Sequence, residues 1–253
     1  MIYKSVINTK CKLFKKPILS SEIETEILFG EKIKILKREK KWLFCKSLQD
    51  NSEGWLVEKD ICDPIDTTHN IASKSAIVFE KPDIKSKYLN SLTFQSKVLK
   101  LSDDNDWVKI KLNKDKEGYV SKKHLRSKYD FFKNWTQKAK LFLNTPYLWG
   151  GKTYDGIDCS GLVQICLESA GIKLPRNSSD QLRTKSKYLK DVPKIEKNCL
   201  IFWPGHVAIA ISNDTIIHSN AFHMCVKIEK LEDFTNRNSN TDLKLLKVKK
   251  IIL

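Results

Sequence analysis

An internal repeat in the first half of the chain constrains the fold more than any other feature. Shifted by 65 positions, Lys32-Ile33-Lys34-Ile35-Leu36 falls on Lys97-Val98-Leu99-Lys100-Leu101, and Trp42 falls on Trp107. Shifted by 64, Gly54-Trp55-Leu56 falls on Gly118-Tyr119-Val120, and Lys59-Asp60-Ile61 on Lys123-His124-Leu125. Each copy reads as a strand, a polar turn, a Trp-led strand, another turn and a Gly-aromatic-aliphatic strand. Short alternating strands between polar turns specify a small all-β unit. Two copies are too few for a solenoid. The repeat therefore predicts two tandem β barrels, over residues 1–64 and 65–128, a form that leaves few exposed sheet edges. Trp42, Trp55, Trp107 and Tyr119 are expected in the barrel cores.

The period changes after Arg126-Ser127-Lys128. From Tyr129 to Asn144, residues Phe131, Phe132, Trp135, Ala139, Phe142 and Leu143 share one helical face, and the pattern stops before Pro146. Gly150, Gly151, Gly156 and Gly161 then crowd around Cys159 in a chain with only 9 glycines, as happens where backbone turns sharply or approaches a ligand. From Ser160 the spacing of Leu162, Val163, Cys166, Leu167 and Ala170 is helical and ends at Gly171, a C-cap residue. Cys159 thus lies at the mouth of a helix, where unpaired N–H groups and the helix dipole favour a thiolate.

A nucleophilic thiol needs a base. Cys199–Trp203 and His206–Ile211 read as apolar strands, Ser212-Asn213-Asp214 as a turn, and Thr215–Ser219 as the returning strand. A hairpin turning there sets His206 and His218 on one face, opposite or diagonal to each other and within side-chain reach. Cysteine, base and base-orienting group together make the arrangement that nucleophilic catalysis requires. His69 and His124 have no such surroundings and are expected at the surface, and His223 at the rim of the site.

Charge and cysteine usage exclude several other classes. The 46 Lys+Arg against 30 Asp+Glu invite a nucleic-acid reading. Only five of the basic residues are Arg, the side chain suited to bidentate base and phosphate contacts, and the lysines are spread along the whole chain. No nucleic-acid partner is expected. The 7 cysteines are odd in number and show no Cys-x-x-Cys or Cys/His spacing, so neither a zinc site nor a disulfide framework is expected. No apolar run reaches the ~18 residues of a membrane span. Charge interrupts the first residues before a signal h-region forms, so the expected location is cytoplasmic.

The spacing of Gly30-Glu31-Lys32-Ile33, Trp42 and Gly54-Trp55-Leu56 resembles bacterial SH3-like domains, although the second copy replaces Gly30-Glu31 with Gln95-Ser96. Tyr147, Trp149-Gly150-Gly151, Asp158-Cys159-Ser160-Gly161-Leu162, Gly205-His206-Val207 and Ile217-His218 resemble the NlpC-type cysteine peptidases, a papain-like family that cuts bacterial cell-wall peptides. One departure is Asn198-Cys199-Leu200, where relatives usually have Gly-Asp-Leu. The resemblance implies an α+β, papain-like catalytic domain over residues 129–253, preceded by two SH3-like β barrels. It implies Cys159 as nucleophile, His206 as general base, His218 as the ring-orienting group and Tyr147 near the oxyanion. It further implies substrate contacts from Asp158, Ser160 and Ser178, with Asp158 meeting a free amine and packing giving no other account of that acid. No metal or organic cofactor is implied. The combination with SH3-like barrels resembles the γ-D-glutamyl-L-diamino acid endopeptidases, which act on murein peptides with a free N-terminal L-Ala. The rival expectations are an inactive hydrolase fold serving as a peptide-binding module, and a thiol acyltransferase or amidase acting on a non-murein amide.

Overall fold

The structure, a computed structural model, describes residues 1–253. The chain forms two compact units, one of Met1–Asp130 with Lys152–Tyr154, the other of Phe131–Gly151 with Asp155–Leu253. No helix is long and apolar enough to cross a membrane.

The first unit contains two seven-stranded sheets, one spanning Ile2 to Cys62 and the other His69 to Ser127. Their strands follow the same spatial order: third, second, sixth, fifth, fourth, first, seventh. Even the irregularities repeat. The long fourth strand, Lys32–Glu39, shifts register between Ile35 and Lys37, and its counterpart Lys97–Asp104 does so between Lys100 and Ser102. Such bulges bend a strand and increase its twist.

The glycine that opens each Gly-aromatic-aliphatic strand permits a close crossing. A Cβ at Gly54 would lie 3.0 Å from both Leu13 Cβ and Phe14 O, and one at Gly118 only 2.5 Å from Val78 Cγ1. The Gly30 turn has φ +76°, and Gln95 adopts φ 67° at the matching place. The second copy thus keeps the left-handed turn without glycine, at a strain of about 1–2 kcal/mol.

Both cores are mainly aliphatic, which corrects the expected place of Trp55, Trp107 and Tyr119. Leu13, Ile27, Ile33, Leu43 and Leu56 fill the first, and Val78, Leu92, Val98, Ile110 and Val120 the second. Strand alternation decides this: if Leu56 points inward, Trp55 must point outward. Trp55, Trp107 and Tyr119 are half-buried, with Trp55 against Phe44 and Trp107 against Phe79. Trp42 is buried but packs edge-on against Phe14 beside the aliphatic cluster. Phe29, from the first repeat, is buried in the core of the second, and its carbonyl accepts from Lys97 N–H.

In the second unit a six-stranded antiparallel sheet runs in the order Leu189–Asp191, Lys247–Ile251, Cys199–Trp203, His206–Ala210, Thr215–Asn220, Cys225–Lys230. The Cys159–Glu168 helix lies against the His206–Ala210 and Thr215–Asn220 strands, and nearly all of it is buried. It ends as predicted, with Gly171 at φ +81°. The preceding helix is shorter than predicted, covering Trp135–Ala139 with a 3-10 turn over Lys140–Phe142. Phe131 and Phe132 do not join it. Phe132 N–H bonds Ser169 O, and the Phe131 ring packs on Gly171, so both cap the end of the cysteine helix instead.

Candidate active site

The cysteine helix starts at a fixed place because Asp158 caps it. Its Oδ1 accepts from Gly161 N–H at 2.7 Å, and its Oδ2 from Gly150 N–H at 2.8 Å. Arg176 closes the other side, with Nη1 2.9 Å from Oδ1 and Nη2 2.6 Å from Oδ2. The guanidinium also donates to Ser160 Oγ at 2.9 Å and Gly151 O at 3.2 Å. Both side chains are buried, Arg176 to 4% exposure and Asp158 to 8%. Gly161 belongs to the same cradle, since a Cβ there would lie 2.5 Å from Gly151 O and 3.0 Å from Asp158 Oδ1. Packing therefore does account for Asp158, contrary to the expectation from sequence. Its carboxylate is engaged by backbone and by a cation the sequence did not pair with it.

Cys159 is the first residue of the helix and is 7% exposed. The helix that begins at Cys159 packs against the strand that begins at His206, so nucleophile and base stand on neighbouring elements. The hairpin registers Ile209 against Ile217 and Ala210 against Ile216, which sets His206 and His218 diagonally on one face. His206 Nε2 lies 2.8 Å from His218 Nδ1. The His206 ring stacks on Phe234 and leans on Trp203, which restricts its rotation.

A cavity of about 460 Å³ opens over this group, lined by Tyr147, Cys159, Gly205, His206, Asn220, Phe222 and Arg237, among others. The structure thus brings Cys159, His206 and Tyr147 to one opening, with His218 behind the base. Ser160 is buried in the Asp158–Arg176 cluster. Ser178 is the first residue of the Ser178–Arg183 helix and is not among the cavity-lining residues; the capping position belongs to Asn177. No group of three or more His, Cys, Asp or Glu is arranged to hold a metal ion.

Comparison with known proteins finds relatives for each part of the chain. Residues 144–240 match the NlpC/P60 family, residues 13–61 the bacterial dipeptidyl-peptidase SH3 domain, and residues 74–126 the bacterial SH3 domain. The chain carries an NlpC/P60 domain. It is a cysteine peptidase with two SH3 domains ahead of the catalytic one. Dipeptidyl-peptidase 6 of Lysinibacillus sphaericus is 27% identical over 90% of this chain and 91% of its own length. The γ-D-glutamyl-L-lysine dipeptidyl-peptidase of Bacillus cereus is 25% identical, over 83% of this chain and 71% of that protein. A crystal structure of an NlpC/P60 family protein from Bacillus cereus superposes with a TM-score of 0.83 at 20% identity, covering 99% of this chain and 100% of that one. That likeness shows a common fold.

Electrostatics define the resting state of the NlpC/P60 site. Burial pushes the Cys159 thiol up to about 11, with Asp158 adding to the rise. The Val207 and Ser160 N–H groups and Arg176 pull the other way without prevailing. Burial, followed by the neighbouring His218, pushes His206 down to about 3. The resting pair is therefore thiol and neutral imidazole, whereas the helix terminus alone suggested a preformed thiolate. Tyr147 is pushed up to about 12, chiefly by burial and then by Cys159 and Asp158, so its hydroxyl remains a donor across the working pH range.

The sequence reading missed Glu229 and Arg237. Glu229 Oε1 lies 2.6 Å from His218 Nε2, and Arg237 holds the same carboxylate with two bonds of 2.8 and 2.9 Å. Only the register of the Cys225–Lys230 strand, which pairs Ile217 with Ile228 and Ser219 with Val226, brings Glu229 to His218.

Proposed function

We propose that this protein hydrolyses peptidoglycan peptides at the bond between γ-D-glutamate and the diamino acid, releasing an N-terminal dipeptide. Cys159 and His206 at one cavity, with His218 Nδ1 2.8 Å from His206 Nε2, is the observation on which the reading rests. The substrate class is supported by the dipeptidyl-peptidase relatives, two of which carry γ-D-glutamyl-L-lysine in their names.

His206 takes the Cys159 proton as sulfur attacks the scissile carbonyl. Since Nε2 faces His218, the remaining ring nitrogen, Nδ1, accepts it. The developing oxyanion is met by the Cys159 N–H at the start of the helix and by the Tyr147 hydroxyl. The tetrahedral species collapses, His206 returns its proton to the departing amine, and a thioester remains on Cys159. Water activated by His206 then hydrolyses the thioester, restoring the thiol and releasing the acyl product as a carboxylic acid.

The test is digestion of defined tri- and tetrapeptides beginning L-Ala-γ-D-Glu, read by mass. A released L-Ala-D-Glu dipeptide supports the reading; cleavage elsewhere, or thioester transfer to an added amine in preference to water, overturns it. Acetylation of the N-terminal amine should lower kcat/KM by at least about 10-fold if a free N-terminal dipeptide is the unit recognised.

A further inference from the structure

The hydrogen-bond chain behind the nucleophile does not end at His218. His218 is 1% exposed and has a polar group at each ring nitrogen, His206 Nε2 at Nδ1 and Glu229 Oε1 at Nε2. An imidazole in that position has to choose a tautomer. We propose that Glu229, clamped by Arg237, is the positioning residue that makes this choice, holding the proton of His218 on Nε2 so that Nδ1 accepts from His206. The consequence runs outward. His206 must then carry its own proton on Nε2, which leaves Nδ1 as the base for Cys159.

Three observations carry the assignment. The Glu229 carboxylate can only accept while ionised, so at 2.6 Å it demands a protonated Nε2. The Glu229 side chain is 9% exposed, a costly setting for a charge without a partner. Arg237 supplies that partner with a two-bond fork, the geometry that fixes direction as well as charge. Burial opposes ionisation of Glu229, but the bonds from His218 and Arg237 outweigh it and hold the carboxyl well below its ordinary range. Asn220 Nδ2 also approaches His218 Nε2 at 3.0 Å, while its oxygen is occupied by His223 N–H at 2.7 Å. That amide can only donate toward Nε2 and so competes with a proton there; the shorter, charge-assisted contact to Glu229 at 2.6 Å outweighs it. His223 Nε2 stands 3.4 Å from the other Glu229 oxygen. Arg237 is itself pinned by stacking on Phe222, 4.2 Å from the ring centre.

The inference rests on Cys159 and His206 as the working pair proposed above, but not on the identity of the peptide. Its test uses the full chain and the variants Glu229→Ala, Glu229→Gln and Arg237→Met. In wild-type protein, nitrogen NMR of labelled histidine should show His218 protonated at Nε2 and unprotonated at Nδ1. In Glu229→Ala that signal should become a mixture, and kcat should fall about 10- to 100-fold with KM within about twofold, the usual scale for removing a group that orients a functional histidine. Glu229→Gln, isosteric and still able to accept from Nε2–H, should restore the tautomer and most of kcat. Arg237→Met should fall between them. If Glu229→Ala does not fold, the wild-type tautomer and the Gln and Met variants decide the matter. A wild-type His218 carrying its proton on Nδ1, or Glu229→Ala and Arg237→Met with unchanged kcat and unchanged signals, overturns the proposal. Wild-type protein that shows the tautomer yet cuts no γ-D-glutamyl peptide refutes the substrate reading instead and leaves this one standing.

Discussion

Replacing Arg176 with Met tests whether the Asp158 cradle is what fixes the nucleophile. The substitution keeps most of the side-chain volume and removes the guanidinium. Asp158 would retain its bonds from Gly150 and Gly161 N–H but would lose the only cation among its hydrogen-bond partners, at 8% side-chain exposure. Breaking a buried ion pair from one side costs about 3–5 kcal/mol, because the remaining charge cannot return to water. For a unit of this size that corresponds to a fall of about 10–20 °C in Tm. Urea unfolding of wild type, Arg176→Met, Asp158→Asn and the double variant completes the cycle. The two single losses should exceed the double loss by about 2 kcal/mol or more, since partners in one network do not add. Activity should fall with stability, as Asp158 holds the turn from which Cys159 emerges. An Arg176→Met cost below about 1 kcal/mol, the value of an exposed pair, would refute the argument, as would strict additivity.

Cys159→Ala should abolish peptide cleavage while leaving the circular-dichroism spectrum unchanged, and Cys62→Ala, in the first barrel, should keep full activity; an active Cys159→Ala ends the peptidase reading. His218→Ala should lose more kcat than His218→Asn or His218→Gln, because an amide oxygen can still accept from the His206 ring; equal rates in all three would show that His218 does not orient the base. Iodoacetamide labelling of Cys159 in substrate-free protein should climb with pH toward about 11, as a buried thiol requires. A plateau already reached at pH 7 would contradict that. His206, depressed toward about 3, contributes stability that is present above its unfolded value near 6.5 and is lost as pH falls toward 3, so His206→Phe should flatten the acid limb of a Tm-versus-pH curve.

The sequence alone determined the repeat, the helix that begins at Cys159 and the hairpin that pairs two histidines, because each is a local pattern. Strand alternation, a Gly C-cap and a turn between apolar runs act over a few residues and leave their mark in the order of residue types. The Gly54 and Gly118 positions were visible in the repeat, yet their reason, the crossing of Leu13 and Val78 over them, was not. Tertiary structure alone decided everything that depends on the register and packing of distant segments. Arg176 meets Asp158 across 18 positions, and Glu229 meets His218 across 11. A single-residue slip of the Cys225–Lys230 strand would turn Glu229 to the other face. The charge state of Cys159 was likewise beyond the sequence. A helix terminus lowers a thiol, burial raises it, and the balance is set by how much water the folded chain excludes.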